Sequence, residues 1–283
     1  MRISMARCWL VILVLGLSAC STTGLQDRGD YLADASHPAV SHNSRVKHLI
    51  LHYTAGSYEA SLNQLTNDAV RAHYLVPEQQ IDDASKPVVL QLVPERERAW
   101  HAGASYWQGR TNINDSSIGI EIVNRGFVDT AQGRVWQAYT PFQIDLVKKL
   151  ALDVIARHHI EPYRVLGHSD IAPSRKSDPG PLFPWKELAD AGIGAWPDAD
   201  TVSRYLDGRD PHQPVDNIGL LQAQLRLYGY DAPLTGQLDA ATIDTLIAFQ
   251  MHFRASDYSG AADAETQAIL QALLSKYHLM SEE

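Results

Sequence analysis

Cysteine is nearly absent: Cys8 and Cys20 are the only two in 283 residues. No disulfide framework can therefore staple the chain, and no thiolate is available downstream as nucleophile or metal ligand. A metal, if bound, must be held by histidine nitrogen and carboxylate oxygen. Basic residues are also scarce, 24 Lys and Arg against 33 Asp and Glu, for a formal net charge of -9. Such a chain has no general attraction for nucleic acid, whose affinity comes from Lys and Arg on phosphate, and no polybasic patch for an anionic membrane. No apolar run reaches the roughly 20 residues a membrane-spanning helix needs. The words HExxH and GxSxG are missing too, which disfavours a zincin peptidase and a serine hydrolase of the nucleophile-elbow type.

What is present is 45% apolar residues, enough for a substantial core in one large or two modest domains. Arg2 and Arg7 precede a short apolar run at 9–17, the layout of a signal peptide. The run ends in Leu17-Ser18-Ala19-Cys20, which resembles a bacterial lipobox. That resemblance implies loss of residues 1–19, acylation of Cys20, and contact with the membrane through this lipid only. A plain secretory signal with an incidental Cys is the other reading. Ser21, rather than Asp, follows the Cys, which by the same resemblance implies outer-membrane sorting in a Gram-negative bacterium, facing the periplasm. Residues 20–44 are rich in Ser, Thr, Gly and Asp without apolar period and read as a flexible tether.

From Val46 the texture changes. Residues 46–53 read as a strand ending at His52-Tyr53, residues 61–70 as a helix, residues 72–76 and 88–93 as short strands, and residues 117–123 (SIGIEIV) as a central strand. Thr140 and Pro141 predict a helix start, with Phe142, Leu146, Leu150 and Val154 on one face and His158-His159 in the last turn. Residues 164–166 read as another strand, followed by Gly167-His168 and a Pro-rich stretch. Alternating strands and helices predict an α/β fold, a mixed sheet with flanking helices, over residues 45–206. Residues 207–216 (DGRDPHQPVD) read as a linker. Residues 217–278 carry three helical patterns and predict a small three-helix bundle.

Five words occur in order: LHYT at His52, AHYLV at His73, RAWHAG at His101, SIGIEIVN at Glu121, and GHSDIAPSRKSDPG over residues 167–180. Together they resemble the type 2 N-acetylmuramoyl-L-alanine amidases over roughly residues 45–190, and the length and appended helices point to the lipoprotein members of that family. The resemblance implies one Zn²⁺ per chain, held by His52, His168 and Asp178. It implies Glu121 as the acid that orients and deprotonates the attacking water, and Lys176 as the cation facing the developing oxyanion. It places His101 and the backbone of Ala102 against substrate; a loop-holding role is the alternative for His101. Asp170 lies close enough to His168 to compete with Asp178 for the metal, and only the DPG word favours Asp178. Glu121 could instead be a paired surface carboxylate, and Lys176 a solvated loop cation. His73 is expected to be structural, and His158 and His159 a helix terminus. Residues 76–87 lack the tight Asp-Gly turn common in the family, which leaves substrate details open.

In the helical region, Leu221-Gln222, Leu225, Gly229-Tyr230, Gly236, Thr242 and Phe249-Gln250 resemble the three-helix peptidoglycan-binding domain; a generic helical cap is the alternative. Expected partners are peptidoglycan and muropeptides, with no nucleic acid, and nothing demands more than a monomer. The competing class is a wall-binding protein on a dead amidase fold, disfavoured because the matching ligands, Glu121 and Lys176 are all present.

Overall fold

The computed structural model describes residues 24–41, 43–67 and 70–277; the leader and Cys20 lie outside them. The chain forms two compact units, residues 1–43 and 44–283. In the first, β1 (Leu25–Asp27) and β2 (Leu32–Asp34) pair antiparallel where the sequence suggested only a tether. The turn closes because Asp27 Oδ1 accepts the Gly29 amide at 2.8 Å, an Asx turn that a polar, Gly-containing stretch supplies locally.

In the second unit the elements run β3 (His48–Tyr53), α1 (Tyr58–Asn67), β4 (Tyr74–Val76), β5 (Leu90–Gln91), β6 (Tyr106–Trp107), β7 (Arg110–Thr111), β8 (Ser117–Ile122), β9 (Phe127–Thr130), β10 (Gly133–Trp136), α2 (Pro141–His158), β11 (Val165–Gly167), α3 (His168–Ile171), α4 (Trp185–Asp190), α5 (Ala199–Leu206), α6 (Ile218–Tyr228), α7 (Ala240–Phe253) and α8 (Ala264–Lys276). The main sheet has the order β11-β3-β8-β4-β5. Its first four strands are parallel and β5 is antiparallel to β4, so the sheet is mixed as expected. The two hairpins β6–β7 and β9–β10 were not legible beforehand, because such short strands carry too few residues for a period.

Strand parity decides where the site lies. Leu49, Leu51, Ile118, Ile120 and Ile122 pack in one core with Ile144, Val147, Ala151 and Val154 of α2. Ile50 instead joins the core that contains the C-terminal helices. His52 shares the parity of Ile50, and Glu121 is its register partner on β8. Both therefore stand on the face away from α2. The α2 helix starts as read: Thr140 caps it and Gln143 completes a capping box with Pro141 in the first turn.

The C-terminal helices are not a separate bead. Leu221, Leu225, Tyr228, Tyr230, Phe249 and Phe253 share one core with Trp107, Ile113, Leu166 and Ile171. The 207–216 stretch is fastened rather than free. Val215 N donates to Ala262 O at 3.0 Å and Ala264 N to Gln213 O at 2.8 Å. Helix α5 also packs on α8, and Lys276 reaches Asp198 at 2.7 Å, so the three-helix pattern acquires a fourth helix from upstream.

A repeat organises these helices. Gln222 of α6 accepts from Gly236 N at 2.8 Å and donates to Thr242 Oγ1 at 2.7 Å. Gln250 of α7 accepts from Gly260 N at 2.7 Å and donates to Thr266 Oγ1 at 2.9 Å. Asp239 and Asp263 cap the next helices through Thr242 N and Thr266 N. The spacing Gly-x-x-Asp-x-x-Thr thus occurs twice, at 236–242 and 260–266, and each copy is read by the glutamine of the preceding helix.

Candidate metal centre and its surroundings

Parallel pairing of β3 with β11 and β8 brings His52, the start of α3 and Glu121 to one sheet end. His168 is the first residue of α3, directly after β11. The Pro-rich loop returns Asp178 to it, and Ser169 N donates to Asp178 O at 2.9 Å. The loop is pinned by Tyr139 Oη on Pro179 O at 2.7 Å and by a 2.9 Å hydrogen bond between Tyr53 Oη and Ser177 Oγ. Gly180 is required there: its φ is 81°, and a Cβ would meet the Trp136 ring at 2.8 Å.

Three donor atoms converge. His52 Nδ1 and His168 Nδ1 are 3.0 Å apart, and each lies 3.0–3.1 Å from Asp178 Oδ2. All three residues are buried. Ligand atoms around a tetrahedral zinc, at about 2.0–2.1 Å from it, lie about 3.3 Å from each other, close to this spacing.

The remaining ring nitrogens fix the tautomers. His168 Nε2 donates to Ala102 O at 3.0 Å, so its Nδ1 is a lone pair. A relay does the same for His52. Ser117 Oγ donates to Ile113 O at 2.7 Å, leaving it to accept from His101 Nε2 at 3.1 Å. His101 Nδ1 then accepts from His52 Nε2 at 3.0 Å, which frees His52 Nδ1. Two lone pairs and a carboxylate oxygen therefore face one point, a donor set that suits a borderline-soft dication. Burial first, then the neighbouring His168, lowers the His52 pKa to about 4, which keeps it neutral.

Glu121 on β8 is the register partner of His52 on β3, 7% exposed, and its Oε2 has no hydrogen-bond partner among the described residues. Burial chiefly, and then Asp178, raises its proton affinity well above that of a free carboxyl, with Lys176 opposing. Lys176 is half-buried and lines a cleft of ≈ 250 Å³ with Trp136, Ser177, Met251 and Tyr258. The cleft thus has walls from both the sheet half and the helical half.

His101 and Ala102, expected against substrate, are both buried. His101 does not face the cleft: it is 4% exposed, between His52 and Ser117, and its ring fills the space a Cβ on Gly119 would need, 2.5 Å from His101 Cγ. Ala102 is fully buried. Its amide and that of His101 donate to Asn114 Oδ1, while its carbonyl accepts from His168 and from Arg175 at 2.8 Å. Both residues adjoin the candidate metal ligands, His101 through His52 and Ala102 through His168. Sequence reading missed Ser117, Asn114 and Arg175; a polar residue at a strand start or in a loop carries no distinguishing local signal. His73 is structural as expected, accepting from Gly119 N at 3.0 Å. His158 contacts Glu95 at the end of α2.

The two candidate carboxylates are placed differently. Asp178 joins the two histidines, whereas Asp170 points the other way. Its oxygens accept from Gly167 N at 2.7 Å, His252 Nδ1 at 2.8 Å and Tyr230 Oη at 2.5 Å. A second grouping, His212, Asp257 and Asp263, is compensated by the buried guanidinium of Arg254, 2.7 Å from Asp263.

Fold and donor set define the class: a His-His-carboxylate centre at the end of a mixed sheet, of the kind that leaves one position open for water. Residues 42–181 match the family model described as N-acetylmuramoyl-L-alanine amidase, and residues 214–270 match a peptidoglycan binding domain. The chain is 49% identical to the N-acetylmuramoyl-L-alanine amidase AmiD of Escherichia coli K12, over 95% of this chain and 97% of that protein. The structure of E. coli AmiD in complex with the substrate anhydro-N-acetylmuramic acid-L-Ala-D-gamma-Glu-L-Lys superimposes with a TM-score of 0.86, covering 91% of this chain and 99% of that one. AmpDh3 from Pseudomonas aeruginosa, 44% identical, gives 0.78 over 89% of this chain and 98% of its own. This chain belongs to the N-acetylmuramoyl-L-alanine amidase family.

Proposed function

We propose that the chain is a zinc-dependent amidase that hydrolyses the bond between the lactyl carbonyl of N-acetylmuramic acid and the amino group of L-alanine in peptidoglycan or muropeptides. The observation that carries it is the meeting of His52 Nδ1, His168 Nδ1 and Asp178 Oδ2 beside the unpartnered Glu121 Oε2. Bound zinc supplies Lewis acidity, which lowers the pKa of an attacking water toward about 7 and polarises the carbonyl. Glu121 orients that water and takes its proton; burial strengthens it as a base. It then passes the proton to the departing L-alanine nitrogen as the C–N bond breaks. Lys176 faces the oxygen on which negative charge develops, a fixed cation whose interaction grows in the transition state. The products are a sugar carboxylate and a free stem peptide.

Residues 45–206 are the amidase domain in this reading, residues 207–216 its connection, and residues 217–278 a peptidoglycan-binding region. Cleavage of the leader before Cys20 and acylation of that residue would anchor the enzyme, as a monomer, through its lipid to the periplasmic face of the outer membrane. Among the described residues no helix is long and apolar enough to cross a membrane.

The test incubates a form beginning at residue 21 with muropeptides, with and without chelator, beside His168→Ala, and reads products by mass spectrometry. Release of a stem peptide starting at L-alanine, lost with chelator and in the variant, is expected. Absence of cleavage by a folded, zinc-loaded protein would overturn the enzyme reading in favour of a wall-binding one.

A further inference from the structure

The helical half reaches the metal centre from behind. His168 owes its position to the first turn of α3, and Asp170, two residues on, fixes that turn by accepting the Gly167 amide at 2.7 Å. Asp170 is 1% exposed, and its other two donors both come from the C-terminal region: Tyr230, fully buried after α6, and His252, 3% exposed on α7. Tyr230 is itself held edge-on to Trp107 at 5.0 Å, and the His252 ring stacks on Trp185 at 3.8 Å and 16°. A buried carboxylate with three donors, two of them from the C-terminal region more than 50 residues away in sequence, has essentially one orientation.

We propose that Tyr230 and His252 are positioning residues for the metal centre: by clamping Asp170 they set the backbone of Gly167-His168, and so aim His168 Nδ1 at His52 and Asp178. The C-terminal region is then part of the metal site's support as well as a wall-binding region. The chain of contacts is continuous, from Tyr230 Oη and His252 Nδ1 through Asp170 to Gly167 N and into the residue bearing Nδ1. On the other side His168 Nε2 is held by Ala102 O, so the ring is fixed from two directions. Outer-shell partners of this kind tune metal affinity because a misaimed ligand must be reoriented on binding. The proposal rests on the zinc-centre reading.

The test measures zinc affinity of the full-length chain by competition with a chromophoric chelator, beside the melting temperature of the metal-free protein. Tyr230→Phe deletes one oxygen. His252→Phe keeps the stack on Trp185 but removes the donor, whereas His252→Asn loses the stack but puts an amide N–H near the place of Nδ1. Both Phe variants are expected to bind zinc at least about tenfold more weakly. His252→Asn should recover most of that affinity while melting lower than His252→Phe, so affinity and stability rank the variants in opposite order. Wild-type affinity in Tyr230→Phe and His252→Phe, or affinities that follow the melting temperatures, would overturn the clamp and leave an interdomain staple. If His252→Phe does not fold, Tyr230→Phe alone decides. A wild-type chain that takes up no zinc would overturn the centre itself, and the clamp with it.

Discussion

The donor cluster of the sheet end and the glutamines of the helical half use their buried polar groups differently. Among the helices the two glutamines of the repeat are saturated: Gln222 and Gln250 use both ends of their side chains, and Arg254 is met by Asp263 on two hydrogen bonds, although Gln224 Oε1 and His252 Nε2 have no hydrogen-bond partner among the described residues. At the sheet end the valences are left open: Glu121 Oε2 lacks a partner, and two imidazole lone pairs face one carboxylate. An unpaired buried polar atom costs stability, so it persists where something other than stability requires it. At the sheet end the open carboxylate oxygen stands with the converging donors of His52, His168 and Asp178, a grouping suited to chemistry. The saturated glutamines of the helical half act as scaffold. The Leu-Gln and Phe-Gln words of the helical half are therefore structural words, whose glutamines stitch loops to helices rather than reach for glycan.

The sharpest way to break this contrast is to close the open valence. Glu121→Gln keeps the volume but removes the base. Turnover is expected to fall by about 10²- to 10⁴-fold, with zinc content unchanged because Glu121 is not among the converging donors. A variant within a few-fold of wild-type turnover would mean that the unpartnered oxygen has no chemical role.

How much of this was readable beforehand follows from where the information sits. The convergence of His52, His168 and Asp178 could be expected because ordered words surround them, and β8 and α2 were legible because their periods and caps are local. Asp170 against Asp178 was not decidable from spacing: both lie within one loop of His168, and the orientation of Asp170 is set by Tyr230 and His252, far away in sequence. His101 carried a family word yet faces inward, since only the packed sheet shows Gly119 beneath its ring. The 207–216 stretch has linker composition, but its backbone pairs with the loop before α8, a tertiary contact that local propensity cannot express. The Gly-x-x-Asp-x-x-Thr repeat was visible in principle, and its meaning needed the glutamines that read it.

A saturated group should fail differently from an open one. Gln222→Leu removes the hydrogen bonds that the buried Gln222 side chain makes to Gly236 N, Gln237 O and Thr242 Oγ1. The expected loss is about 1–3 kcal/mol of unfolding free energy, read from denaturant melts, with turnover per folded molecule unchanged. If turnover falls while stability holds, the division between scaffold and chemistry fails at that residue.

The smallest effect compares two glutamates within the sheet half. Glu95 is the counterpart of Glu121: it accepts from Tyr74 Oη at 2.6 Å, from both guanidinium nitrogens of Arg157, and from His158 at 2.8 Å. Burial works against its ionisation, but Arg157 and then Tyr74 and His158 outweigh it and bring its pKa down to about 2. A carboxyl whose folded pKa lies below its unfolded value stabilises the fold above the unfolded value, and that stability drains away as pH falls from about 4.5 through about 2. Because Arg157 is 41% exposed, solvent screens the pair, and the contribution is on the order of 1 kcal/mol rather than the full linkage value. Wild type should therefore exceed Glu95→Gln in stability at neutral pH, with the gap closing toward about pH 2–3. A gap that stays constant with pH would show that packing, not the ionised carboxylate, accounts for the role of Glu95, and that its four donors do not distinguish it from Glu121 electrostatically.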